Sequence, residues 1–402
     1  MTRKYFKYAA FVFGFLGIIF IPFPLNFLPG REKLAEIIFN GPISLLSRFL
    51  FGHRPMILEI SSDSATLYLL VFFLFILSLI ISGVSLYKVV AARFMENAFP
   101  YLQTFFTYFL AIIMLKYGLD KIFKTQFYLP EPNILYTPIG NVSKDLLFWS
   151  TMGSSYGYNL FIGLAELIPA VFLFFRPTRR TGLILAFLVL IHITAINFCF
   201  DISVKVFSVF LLAIATLLLV PVFKPLFQFL SGKKDVNLQI VPVLVDPGGK
   251  KWIIKGLTLA LILGEGLFPY LGTGNFNDDD FPRPFLHGGY EVTRIDNLST
   301  TSNEELPSLK RFFIHRSGYI VFQDANDEMQ DFHLDIDKTD SEFILTDYEL
   351  KTIRLKFEFR DNILKLHYFG RNSEFLLTGR ELDWRALPLL RQDFHWSIDE
   401  IN

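Results

Sequence analysis

Cysteine is nearly missing from this chain. Cys199 stands alone among 402 residues, which excludes an intrachain disulfide, dithiol chemistry within the chain and any cysteine-rich metal site. Charge is also scarce, at 19% of residues against about 25% in soluble domains. The two signs balance at 38 residues each, so there is no basic field of the kind a nucleic-acid partner needs. No glycine-rich phosphate loop, no zinc-binding helix motif and no nucleophile–base pair appears. No metal or cofactor ligand set is visible.

Apolar length is what the chain has instead. It is 52% hydrophobic with 47 phenylalanines and a mean hydropathy of +0.41. Roughly 20 apolar residues cross the hydrocarbon of a bilayer, and the sequence offers about seven such stretches: 8–27, 64–87, 99–115, one within 148–175, 181–200, 206–223 and 256–271. The N-terminus has the layout of a signal peptide, but its apolar run continues through IPFPLNF without a small-residue cleavage site, so it is read as a retained helix. Residues 30–60 are broken by charges and by Gly41-Pro42 and are expected to form a pair of interfacial helices. Basic residues gather at Arg3, Lys4 and Lys7, at Lys88 and Arg93, at Arg176, Arg179 and Arg180, and at Lys224, Lys233, Lys234, Lys250, Lys251 and Lys255. By the positive-inside rule these clusters put the N-terminus in the cytoplasm and the C-terminal region outside, in a bacterial inner membrane. The basic residues at 31–54 and 116–124 then fall on the outer side, and the second group requires a function or a partner.

After Phe281 the pattern changes to a period of two. IRLKFEFR (353–360) and FHLDID (332–337) alternate apolar and charged residues, as half-buried strands do. Eight strands are predicted, at 288–295, 309–316, 318–324, 328–336, 342–347, 352–360, 362–369 and 373–380, with turns at Ser317-Gly318, Asn326-Asp327, Asp361-Asn362 and Gly370-Arg371-Asn372. Even spacing and short turns predict an antiparallel barrel of lipocalin-like type, closed by a short helix at 384–390. About 120 residues are enough for a core, so 281–402 is expected to fold alone. The divisions are a membrane region at 1–98, a four-helix core at 99–223, a cytoplasmic loop at 224–255, a seventh span at 256–272 and an extracytoplasmic β-domain at 273–402. The fold class is a predominantly α-helical polytopic membrane protein with a C-terminal β-barrel.

Polar groups inside apolar helices are costly and mark candidate sites. Trp149, Met152, Tyr156, Asn159, Gly163, Glu166 and Ala170 recur at steps of three and four, so Glu166 shares a helix face with Asn159 and Tyr156. Tyr117 and Lys121 share a face of the third span; Lys121 has Glu166, an anionic head group or the interface as alternatives. Asn197, Asp201 and Lys205 align if the helical turn continues past Phe200. His192 is read as a packed, hydrogen-bonded histidine, and Glu265 as a lesser candidate between Gly264 and Gly266. Asp278, Asp279 and Asp280 are read as a solvated linker.

MLKYGLDKIFKTQF (114–127), FWSTMGSSYGYNLFIGLAE (148–166), RPTRR (176–180) and NFCFDISVK (197–205), in that order and spacing, resemble the DoxX family of four-helix membrane proteins, and among them the longer bacterial type with added N-terminal spans and a C-terminal extracytoplasmic β-domain. Relatives of that family are linked to membrane redox systems, including thiosulfate:quinone oxidoreductase subunits. The resemblance therefore implies a redox-associated subunit that holds a quinone or a similar lipid-soluble carrier. Glu166 and Lys121 would handle protons or anions at its head group, and Tyr117, Asn159 and Tyr156 would orient it. The alternative is a non-enzymatic scaffold or a lipid- or protein-handling protein whose β-domain meets a membrane or extracytoplasmic partner.

Overall fold

A computed structural model describes residues 2–21, 23, 25, 30–52, 58–60, 62–232, 251–298, 308–370 and 373–393. Arg54, Lys233, Lys234, Lys250, Arg371 and Asn372, which the sequence reading used, lie outside the described residues. Among the described residues, ten α-helices precede the strands: α1 (Thr2–Phe20), α2 (Arg31–Phe51), α3 (Ala65–Tyr87), α4 (Val89–Ile122), α5 (Pro132–Leu135), α6 (Lys144–Gly153), α7 (Tyr156–Phe174), α8 (Arg179–Cys199), α9 (Lys205–Leu230) and α10 (Lys251–Thr273). The chain divides into two compact units, Met1–Gln126 with Leu160–Phe276, and Phe127–Asn159 with Asn277–Asn402.

The first unit is an integral membrane bundle. Seven helices are long and apolar enough to cross a bilayer, namely α2, α3, α4, α7, α8, α9 and α10. The membership differs from expectation. Residues 31–51 form one continuous helix rather than an interfacial pair, because Pro42 sits in the helix interior without ending it. Pro42 removes one hydrogen-bond donor, and the apolar residues on either side carry the helix through. The 19-residue α1, Thr2–Phe20, is not among the seven, and its first turns carry Arg3, Lys4 and Lys7; Phe27, the expected end of the first span, lies outside the described residues. The fourth span, α7, lies within 148–175 as expected. Residues 144–153 make a separate helix, and the chain breaks at Ser154-Ser155 before α7. That break takes Trp149 and Met152 off the face that carries Glu166.

Backbone approach between helices is set by glycines. A Cβ on Gly118 would lie 3.0 Å from the Gly163 carbonyl oxygen, and a Cβ on Gly163 would lie 2.8 Å from that of Gly118. Two glycines facing one another let α4 and α7 meet backbone to backbone, as small residues do in membrane bundles. Gly266 on α10 admits the Leu115 side chain of α4 in the same way.

The second unit contains a closed barrel of eight antiparallel strands in sequential order: β1 (Gly288–Asn297), β2 (Leu309–His315), β3 (Tyr319–Asp324), β4 (Met329–Asp337), β5 (Glu342–Thr346), β6 (Thr352–Arg360), β7 (Ile363–Phe369) and β8 (Glu374–Glu381). Closure leaves no free edge. Asp361 and Asn362 both take positive φ (53° and 62°) between β6 and β7, the backbone a two-residue hairpin requires. The expected closing helix is a pair of 3-10 turns, Trp384–Ala386 and Pro388–Leu390. Inward-facing Tyr290, Phe312, Phe343, Leu355, Leu364 and Leu377 fill the lumen with side chains.

One face of the barrel is buried on its outside as well. Phe312 and Ile314 point inward, so Phe313, Val321 and Gln323 point outward, yet they are 1%, 7% and 0% exposed. The cover is residues 127–159, here termed the strap. Tyr136 stacks on Phe313 with ring centroids 6.0 Å apart, and its carbonyl accepts the Gln323 amide at 3.1 Å. Arg311 lies over the Tyr136 ring at 4.8 Å. Within the strap, Phe127 packs on Phe148 and Trp149, and Gly153 passes so close to Tyr128 that a Cβ would sit 2.1 Å from the Tyr128 carbonyl oxygen. The expectation that 281–402 suffices for the β-unit omits this cover.

Candidate functional site: paired charges on a buried helix

The sequence of α4 ends on LKYGLDKI, and its charges are distributed between two neighbours. Lys116 and Asp120 are four residues apart and share one face. Lys116 Nζ lies 3.0 Å from Glu265 Oε1 of α10, with both side chains buried. Asp120 accepts a hydrogen bond from the Tyr270 hydroxyl of α10 and another, at 3.1 Å, from Thr125. Lys121 faces the other way. Its Nζ is 3.0 Å from Glu166 Oε1 on α7, 3.2 Å from Oε2, and donates to Gln126 Oε1 at 2.8 Å. Glu166 is 3% exposed.

Glycines place these pairs. Gly118 and Gly163 each stand three residues before their charged partner, so the closest approach of α4 and α7 falls beside Lys121–Glu166. Gly266 stands next to Glu265 and performs the same service for α10. Of the basic residues at 116–124, which sequence reading left in need of a partner, Lys116 and Lys121 are thus matched by carboxylates across helix interfaces. Lys124 takes positive φ (60°) and is fully buried. Tyr117 lies beside the first-unit site: the Lys121 ammonium sits 5.5 Å from its ring centroid, and its carbonyl accepts from Nζ at 3.4 Å.

The other candidates do not join Lys121 and Glu166. Asn159 belongs to the second unit, where its Nδ2 donates to the carbonyls of Met152, Ser155 and Phe127 at 2.7, 3.1 and 3.4 Å and closes the strap on itself. Tyr156 is in the second unit as well and is exposed. Asn197 is buried near the end of α8, which stops at Cys199; the helical turn does not continue, because Asp201 adopts φ 56°. The Asp201 side chain is 82% exposed and pairs locally with Lys205, at 2.7 Å. Asp63 accepts the backbone N–H groups of Lys205 and Val206 at 2.7 and 3.0 Å, so it caps the N-terminus of α9, where a carboxylate is favoured. His192 is exposed rather than packed. Arg179, read as a topology marker, is buried and donates to the Leu173 carbonyl at 3.0 Å.

No protein-family model matches the chain, and no solved structure matches it. A stretch of 103 residues is 33% identical to the uncharacterized protein YwoB of Bacillus subtilis (strain 168), covering 26% of this chain and 65% of that protein. The chain thus spans just under two thirds of the length of the curated relative it matches.

The second unit holds a polar cluster that sequence reading missed. Asp278 is not solvated: it accepts two bonds from the Arg316 guanidinium, at 2.7 and 2.9 Å, and one from Arg283 at 2.9 Å. Asp279 accepts the Leu129 N–H at 3.1 Å. Glu131 of the strap is buried and meets His287 Nε2 at 2.8 Å, with Arg316 Nε at 3.8 Å and His315 Nε2 at 4.0 Å. Burial pushes the Glu131 carboxyl up, but His287, His315 and Arg316 together hold it below its ordinary range. Burial, with added repulsion from His287 and Arg316, holds the His315 ring below its ordinary range against the pull of Glu131. In sequence, the only trace was an acidic residue between two prolines, LPEPN. Among the described residues no group of three or more His, Cys, Asp or Glu is arranged to hold a metal ion.

Proposed function

We propose that this chain is a DoxX-like membrane scaffold that holds the strap and barrel on the outer face of the bacterial inner membrane, where they meet a protein partner. One observation carries the reading: the charges set in the apolar helices are spent on joining helix to helix, Lys116 to Glu265 and Lys121 to Glu166. The filled barrel lumen points the same way, since it leaves the outer surface of the β-unit for recognition. Connectivity supports the topology. Strap and barrel form one unit, so they lie on one side of the bilayer and an even number of crossings must separate them. The four helices α7 to α10 supply that number. The turn RPTRR between α7 and α8 then lies on the opposite side, where its basic residues are favoured if that side is the cytoplasm.

Two measurements test this. Cysteines placed at Ile139 in the strap and Asn326 in the barrel, in a Cys199→Ala background, should both react with a membrane-impermeant thiol reagent in intact spheroplasts. Reaction at one position alone defeats the shared side, and reaction only after lysis reverses the orientation. Organic extraction of the purified protein should yield phospholipid and no quinone in stoichiometric amount. Stoichiometric quinone would replace the scaffold with a carrier-holding redox subunit.

A further inference from the structure

We infer that the strap is fastened to the barrel by an acid-released latch, in which Glu131 is gripped by His287 and by the β2–β3 turn that carries His315 and Arg316, and protonation of His315 opens it. The geometry dictates where the proton goes. His315 Nδ1 accepts the Ser317 N–H at 3.1 Å, so the neutral ring carries its hydrogen on Nε2, the nitrogen 4.0 Å from Glu131. A second proton must enter at Nδ1. It breaks the bond to Ser317 and loosens the turn that places Arg316, whose backbone N–H points to Glu131 Oε2 at 3.5 Å and whose guanidinium grips Asp278. It also puts a cation beside Arg316.

The other groups facing His315 and Glu131 are Tyr128, whose ring lies under Arg316 at 4.3 Å, Tyr319, whose ring centroid is 6.5 Å from that of His315, and Asp278 with Arg283 bound to it. Burial pushes the Tyr128 hydroxyl further up, so it stays neutral across the acid range considered. A proton on His287 strengthens its bond to Glu131, so it cannot be the source of loosening. The sign follows from the depressed groups. His315 favours the closed latch above its ordinary 6.5, and that contribution is lost as pH falls below it. Glu131, held below its ordinary 4.5, remains a carboxylate through the same interval and fails only at lower pH.

The test is amide hydrogen exchange of the full-length protein in detergent micelles, corrected for intrinsic rates. Strap residues 127–141 are compared with strands β6 and β7 as an internal reference. A histidine held neutral in the closed state limits the effect to about tenfold between about pH 7.5 and about pH 5.5. Strap protection should fall, within that limit, while the reference stays constant. His315→Gln should abolish the pH response whatever its baseline protection, and His333→Gln, on the exposed surface, should retain it. Unchanged strap protection in the wild type overturns the latch, as does a full response in His315→Gln. Wild-type protein alone decides the matter if the variant does not fold.

Discussion

Glu166→Gln should destabilise the membrane bundle by about 3–5 kcal/mol, the usual cost of removing one partner from a buried ion pair. An isolated carboxyl in lipid would be protonated and nearly equivalent to glutamine. Lys121, 3.0 Å from Glu166 and also buried, reverses that expectation, because the variant removes the carboxylate that balances its ammonium. Adding Lys121→Met should recover most of the loss, since buried pairs replaced by apolar groups of similar volume are often neutral. Thermal unfolding in a mild detergent provides the readout. At roughly 2–4 °C per kcal/mol for a unit of about 150–250 residues, the size of the bundle, the single variant should melt about 6–20 °C lower, and the double variant close to the wild type. A single variant within about 0.5 kcal/mol of wild type would show that the pair does not hold α4 to α7.

The excised strands 281–402 should melt far below the same fragment supplied with the strap as a separate peptide, 127–159. Phe313 and Val321 lose their cover when the strap is absent, at roughly 1.5–3 kcal/mol each. Glu131 goes with the strap, and Asp278, which precedes residue 281, is absent from both samples; Arg316 and Arg283 are then exposed to water rather than stranded, so the apolar term dominates. A loss of about 3–6 kcal/mol is a large part of the roughly 5–15 kcal/mol that holds a domain together. Far-UV circular dichroism melts with and without the peptide measure the difference, and the shift should grow with peptide concentration as mass action requires. Identical melts would mean that the strap adds nothing to the barrel.

What could be read from the residues depended on the range of the interaction. The eight strands were legible because alternation is local and the turns that join them are marked by residues such as Asp361-Asn362. The apolar spans were legible by length, though Pro42 looked like a stop and proved to be a tolerated interior residue. The Lys121–Glu166 encounter could be anticipated, since two costly groups on consecutive spans gain by meeting. Asp201 could not be separated from them, because its alignment with Asn197 and Lys205 assumed a helix that its own positive φ ends. Lys116–Glu265 and Asp120–Tyr270 were hidden by 149 and 150 residues of intervening chain. The strap was hidden for a related reason: residues 127–159 complete a unit whose strands begin more than a hundred positions later, and nothing local to Tyr136 announces Phe313.

The two-sided pairing of α4 has a consequence for how the chain is made. Lys116, Asp120 and Lys121 stand in the last two turns of α4, where a charge costs less than the about 2.5–3.5 kcal/mol of a helix centre, and when α4 leaves the ribosome none of its carboxylate or phenol partners on other helices exists yet. Glu166 arrives with α7; Glu265 and Tyr270 arrive only with α10, the last helix of the bundle. The polar end of α4 must therefore wait at the membrane surface or in the insertion machinery until synthesis is well advanced. Completion of the helical bundle is in this sense a checkpoint, passed only when its final helix delivers the opposite charge.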